Sequence, residues 1–339
     1  MVFIFIVVGL STSQVLAEPQ KIKFIYSDNN PPSALGAVFF KQEWVPRINK
    51  MIAPDYKLDI TYYHASSLYK YQDQTQALED GLIDMGTFIV TYELARAPLH
   101  EVVTLPFIGT GMDAHATNKI WFKLQETIPE FNAEFSKYKE LLHFSSMPRI
   151  INATRILRVP DDFKGVKVLS TGLTADVFRS IGAVPIMQPP PDWYTSLDRG
   201  LAEAISTGIG SVTMFKLDEV VKYHVNFPGE NLGWVGIAFI MNRQRYEGLP
   251  LVLQKAIDDN VKWASERITQ LELDKIPLAE EICRKRGNIF VDLTPEEMQK
   301  WRDAVKPIHE AWIAKMEEKG LPGKKVFDKT IQLANEYTK

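Results

Sequence analysis

From Lys21 to Tyr26 polar and apolar residues alternate (KIKFIY), the period-two signature of a strand with one buried face. The run ends in the turn-rich stretch Ser27-Asp28-Asn29-Asn30-Pro31-Pro32. Apolar positions then recur at helical spacing through Val38, Phe39, Trp44, Val45 and Ile48, which predicts a helix over Gly36–Ile52. A second strand is expected at Tyr56–Tyr63, a short helix at Tyr71–Asp80 stopped by Gly81, and a third strand at Leu82–Phe88. A β-α-β-α-β order calls for a sheet with parallel members and helices on its faces.

A similar unit follows later in the chain. Gly165–Leu169, Val184–Met187 and Ala202–Ser206 read as short strands, with helices at Thr174–Ile181 and Trp193–Arg199. Asp192 is positioned to cap the second of these helices. Val235–Met241 (VGIAFIM) reads as a buried strand. Helical patterning then runs from Pro250 to Arg286, interrupted at Pro277. Thr294 and Glu297 form a capping-box signature ahead of a helix over Pro295–Lys319, which Gly320 stops, and a last helix spans Val326–Tyr337. Two α/β units with returning segments predict two lobes joined by chain crossovers. Clefts between lobes, at the loops that follow strands, are where such folds hold ligands.

Composition adds a location. Val2–Leu10 (VFIFIVVGL) is apolar, and Val15-Leu16-Ala17 precedes Glu18. The run is too short for a bilayer, which needs about 20 apolar residues. It reads as a secretory leader cut after Ala17, although no Lys or Arg precedes it; a buried first strand is the competing reading. No later segment is apolar enough to span a membrane, so the mature chain is expected to be soluble. The 339 residues suffice for two cored lobes, and 39 basic against 42 acidic residues give no basic surplus for nucleic acid. Cys283 stands alone, so no intrachain disulfide forms.

Chemistry-bearing motifs are missing. There is no GxGxxG, Walker loop, HExxH or GxSxG, and the six histidines form no i, i+3 or i, i+4 pair. No metal site, cofactor or catalytic residue is expected. A binding protein is the first reading; an exported hydrolase and a sensory ligand-binding protein are the alternatives.

Five segments in order carry a family resemblance: QALEDGLIDMG with VVTLPF, DDFKGVKVLSTG, IGAVPIMQPPPDWYTSLDRGLAEAIST, MFKLDEVVKYH and FIMNRQRYEGLP. Together they resemble the solute-binding subunits of tripartite ATP-independent periplasmic (TRAP) transporters. The resemblance implies an α/β, two-lobed periplasmic binding fold with a cleft between lobes and a long helix crossing both. It also implies membrane transporter subunits as partners. The corresponding lobes are 18–146 with a return near 235–265, and 147–234 with a return near 266–339.

Members of this family bind carboxylates through an arginine at the end of the K-x-R segment, where bidentate pairing suits the ligand. Here that position is Leu169, followed by Ser170. Arg149 sits where many members carry a second pocket arginine, with a surface salt bridge as its alternative role. The V-D-G element becomes Ala202-Glu203-Ala204, and a position that is often Asn falls at Thr207. Losing one charge for an aliphatic side chain points to a less anionic, more apolar solute, a monocarboxylate or an aromatic molecule. Phe88, Tyr92, Trp193, Tyr194, Phe215 and Trp234 are candidate aromatic walls. Asn29, Asn30, Ser66 and Thr87 are polar candidates from loops and strand ends. Glu219, Lys222 and Tyr223 are family landmarks with a structural or docking role.

Overall fold

The structure is a computed structural model that describes residues 18–109 and 113–338; the expected leader lies outside them. Eleven strands form two sheets. In chain order they are β1 (Gln20–Ser27), β2 (Tyr56–Tyr63), β3 (Met85–Ile89), β4 (Tyr138–Ser145), β5 (Ile150–Ala153) and β6 (Lys167–Leu169). β7 (Val184–Ile186), β8 (Ala204–Thr207), β9 (Tyr223–Asn226), β10 (Gly236–Asn242) and β11 (Ile289–Asp292) complete the set.

The first sheet runs β2-β1-β3-β10-β4 and the second β11-β9-β5-β8-β6-β7. In β1 the alternation is realised as read: Ile22, Phe24 and Tyr26 are buried while Lys21, Lys23 and Ile25 face out. β1 pairs in parallel with β2 and β3, and β10 joins antiparallel between β3 and β4. In the second sheet β6 is parallel to β7 and β8, with their C-terminal ends at one edge. Each lobe therefore aims the loops after its parallel strands toward one region.

The chain passes between lobes through two extended stretches and one helix. The first stretch joins β4 to β5 and the second joins β9 to β10. They are hydrogen-bonded to each other: Ser146 N donates to Val235 O (3.0 Å), Arg149 N to Gly233 O (3.1 Å) and Leu232 N to Arg149 O (3.1 Å). Gly233 has φ +105°, and a Cβ there would lie 2.3 Å from Thr104 O, so only glycine fits this crossing.

The third connection is a single helix, Leu251–Lys285, that packs on β4 and helix Val45–Ile52 of the first lobe and on helix Ile209–Met214 of the second. The expected interruption at Pro277 does not occur. Pro277 lies on the exposed side, where water can serve the carbonyl that the missing N–H leaves free. Asp192 is also corrected: it ends a short turn (Pro190–Asp192) and its side chain makes no cap bond. Thr294 and Glu297 do form the reciprocal capping box. The return segment divides: Pro295–Glu318 packs on helix Leu173–Ser180, whereas Gly323–Tyr337 packs on Ala114–Thr127 of the first lobe.

Candidate functional site

A cavity of about 460 Å³ opens between the two sheets. Its first wall is the end of β1 (Asp28, Asn30), the segment 33–37, and Thr87 and Ile89 of β3. Its second wall is Leu169, Ser170 and Thr171 after β6, Ser206 and Thr207 of β8, and Trp193 and Phe215. The crossover stretches supply Ser146, Met147, Arg149 and Val235, and the long helix supplies Glu272, Lys275, Leu278, Ala279 and Ile282. The volume suits a small organic ligand.

Arg149 is only 6% exposed. Its Nη2 donates to Thr171 Oγ1 at 3.1 Å, and no carboxylate pairs with it among the described residues. Burial pulls its pKa down to about 10, with Tyr92 acting weakly the other way, so it stays charged at neutral pH. A guanidinium carries five N–H donors, and the protein serves few of them here. Because the main chain of Arg149 is bonded to Leu232 and Gly233, this cation sits on the hinge itself.

The first wall holds a buried carboxylate whose partners come from its own lobe. Asp28, 1% exposed, accepts from Tyr26 Oη (2.8 Å) and Asn30 N (3.1 Å), and His64 Nδ1 lies 3.2 Å away. Burial raises its pKa, while the bonds from Tyr26 and His64 oppose the rise. Nearby, Gln74 Nε2 donates to Thr87 O (3.0 Å) and Thr87 Oγ1 (3.3 Å) and so fixes the end of β3. Three hydroxyls at the cavity, Thr91 Oγ1, Ser170 Oγ and Ser206 Oγ, are buried without a hydrogen-bond partner among the described residues.

The structure brings Arg149, Leu169, Ser170, Asn30, Thr87, Trp193, Thr207 and Phe215, with Tyr92, to one cavity. Trp193 and Phe215 meet edge to face with centroids 5.3 Å apart, and Trp193 Nε1 donates to Gln188 O at 3.0 Å. The other candidates lie elsewhere, for reasons of local geometry. Phe88 alternates with Thr87 and Ile89 on β3, so its ring is fully buried against Phe135 and Tyr138. Tyr194 is one helical step from Trp193 and turns away to donate to Glu219 Oε2 at 3.2 Å. Trp234, beside the cavity-lining Val235, is 2% exposed and outside the lining. Asn29 and Ser66 bond each other (2.8 Å), and Asn29 also donates to Gln74. They brace the loop behind the wall.

The landmark segment is structural in its contacts. Glu219 pairs with Arg286 at the end of the long helix, while Lys222 bonds through its main chain to Ala153 and Ile289.

Sequence reasoning missed the long-helix face. Glu272 is half-buried at the cavity wall and makes no hydrogen bond or ion pair among the described residues. Burial pushes its pKa up to about 7, and Lys275, one turn on, partly offsets this. The signal was available: residues 272, 275, 279 and 282 share one face of a helix long enough to reach both lobes.

Two α/β lobes, paired crossovers, a lobe-spanning helix and an interlobe cavity with an underserved cation define a cleft-type solute-binding receptor. This chain belongs to the bacterial extracellular solute-binding protein family 7, whose model matches residues 30–316. It is a receptor of the TRAP type that its motifs resemble. Over 304 residues, covering 87% of each chain, it is 25% identical to the C4-dicarboxylate-binding periplasmic protein DctP of Rhodobacter capsulatus. Its fold superposes with TM-score 0.86 on a marine metagenome TRAP solute-binding protein specific for aromatic acid ligands, solved with metahydroxyphenylacetate. That match has 22% identity and covers 94% of this chain and 100% of the other. A TRAP solute-binding protein from Rhodoferax ferrireducens, solved with copurified benzoate, gives TM-score 0.83 at 21% identity, covering 94% and 98%. Among the described residues no helix is long and apolar enough to cross a membrane.

Proposed function

We propose that this receptor works in the periplasm, is exported on residues 1–17, and closes over a monocarboxylate with an aromatic or otherwise apolar body. It catalyses no reaction and delivers the acid unchanged to the membrane subunits of a TRAP transporter. The observation that carries the reading is Arg149: a buried cation without a carboxylate partner among the described residues, in a cavity where Leu169 stands at the position of a second arginine. The ligand carboxylate pairs with the guanidinium, and Thr171 holds that group in place. Ring faces pack against Trp193, Phe215, Leu169 and Ile237. The aromatic acids held by the two structural relatives support this assignment.

In this reading residues 18–146 with the return at 235–265 form one moving body and 147–234 the core of the other. Ligand favours the closed form because it touches both walls, and only differential contact of that kind shifts the equilibrium. A second carboxylate has no cation to meet at Leu169 and is disfavoured by roughly several kcal/mol where it is desolvated.

Titration calorimetry with benzoate, phenylacetate, succinate and malate tests the assignment. The aromatic monocarboxylates are expected to bind and the C4 dicarboxylates to bind at least about tenfold more weakly. Preferential binding of the dicarboxylates overturns it.

A further inference from the structure

The titratable side chains lining the cavity are Asp28, Tyr92, Arg149, Glu272 and Lys275. Their states differ. Asp28 is served by Tyr26, Asn30 and His64. Lys275 is exposed and keeps its hydration. Arg149 is claimed by the ligand carboxylate if the proposed function holds. Glu272 is left, a half-buried carboxyl with no hydrogen-bond or ion-pair partner among the described residues. The other segments packed near it, residues 33–37 and helix Ile209–Met214, bring no ionisable side chain to the cavity.

A half-buried carboxyl without a protein partner is served by cavity water, and a ligand that displaces this water must bring a donor or leave the group unserved. Arg149 comes from the hinge and Glu272 from the long helix, and both line the same cavity of about 460 Å³. An ionised Glu272 repels a second carboxylate and accepts strongly from a hydroxyl or amine. A wholly apolar ligand end would leave Glu272 dehydrated and unserved.

We infer that Glu272 is a specificity-determining residue: the solute is an aromatic acid that carries a hydroxyl or amino donor away from its carboxylate, and Glu272 accepts that donor. This deepens the proposed function and rests on its assignment of the carboxylate to Arg149. Burial supports it by holding the carboxyl partly protonated near pH 7, a state that a donor bond shifts toward the anion. Because Glu272 stands before Pro277 on the connection between lobes, the contact also ties the ligand to the element that spans both.

The experiment is calorimetry at pH 8 with benzoate, 3-hydroxybenzoate, 4-hydroxybenzoate, 3-aminobenzoate and isophthalate. The proteins are the wild type, Glu272→Gln and Glu272→Leu, each checked for folding by thermal unfolding. In the wild type at least one donor-bearing acid should bind about tenfold or more tighter than benzoate, and isophthalate should bind more weakly than benzoate. Glu272→Leu should bring the donor preference to about one while benzoate binding is kept or improved. Glu272→Gln, which retains a carbonyl acceptor, should keep part of it. Equal binding of all the benzoates in the wild type overturns the inference, as does a preference for isophthalate or a donor preference that survives Glu272→Leu. Failure of every aromatic acid to bind removes the proposed function and this inference together, whereas benzoate binding without donor discrimination removes this inference alone.

Discussion

Asp28 and Arg149 are both buried ionisable side chains lining one cavity, yet the protein treats them in opposite ways. Asp28 receives hydrogen bonds from Tyr26 and Asn30 and a contact from His64, all within its own lobe. Arg149 has a hydroxyl from Thr171 and, among the described residues, no carboxylate. A buried charge that its own lobe satisfies is a brace, because its desolvation is already offset by fixed donors. One left underserved gains its partner only when a solute arrives. Burial alone does not separate the two roles; the inventory of partners does.

The largest effect should come from removing the underserved charge. Arg149→Ala is expected to weaken binding of benzoate or its best hydroxylated derivative by more than about 100-fold, in line with losses of about 2–5 kcal/mol for truncated charge pairs. The free protein should change little in thermal midpoint, because the native state loses one neutral acceptor contact and sheds a costly desolvated cation. Calorimetry and a melting curve on the same sample read both quantities. If stability collapses while affinity holds, the roles of the two residues are reversed.

Asp28→Ala should do the converse. It strands Tyr26 Oη in a fully buried position and leaves His64 without its partner, a loss of about 2–3 kcal/mol in urea unfolding. Affinity should fall less than about tenfold, since the side chain's acceptor sites are occupied inside the lobe. A smaller change belongs to Leu169→Arg. An arginine at the end of β6 gives the cavity a second guanidinium, and the ratio of succinate to benzoate affinity should rise about tenfold. Taking the ratio keeps the comparison independent of any general loss of packing in the apolar cluster around Leu169.

Much of this architecture is legible in the sequence because the signals are local. Alternation in β1 and β2, the capping box at Thr294, and the strand-helix order of both units follow from period and turn chemistry. β4 was hidden because the long helix covers one of its faces and the helix Ala114–Thr127 lies nearby, so YKELLHFS carries no clean alternation. β5, β9 and β11 are four residues each and too short for a periodic signal, whereas β6, β7 and β8, which are no longer, were legible from the strand-helix alternation and the family motifs around them. At the site, Arg149, Leu169 and Thr207 were reached through the resemblance, Thr87 through its position at a strand end, and Trp193 and Phe215 as candidate aromatic walls. Phe88, Tyr194 and Trp234 illustrate the limit: composition marks an aromatic segment, but a single step along a strand or helix decides which ring reaches the cavity. Glu272 was missed because a carboxyl in a charged helix looks solvated until the neighbouring lobe is in place.

Glu272 also yields an effect with a definite pH signature. Its carboxyl has a folded-state pKa of about 7 against an ordinary value of 4.5, raised by burial and only partly countered by Lys275. Between those two values the folded protein holds a proton that the unfolded chain has released. Stability of the ligand-free protein therefore falls as pH rises through this window and levels off above it. Glu272→Gln, which resembles the protonated form, should match the wild type at pH 4 and exceed it by about 1–2 kcal/mol at pH 8, less than the full shift would give because the cavity side of the group is wet. Unfolding in urea at pH 4, 6 and 8 measures the difference. The other ionisable groups are common to both proteins and cancel in the comparison, so a gap between the two that does not widen with pH would place Glu272 in water, and with it would go the reason for assigning this carboxyl a partner in the solute.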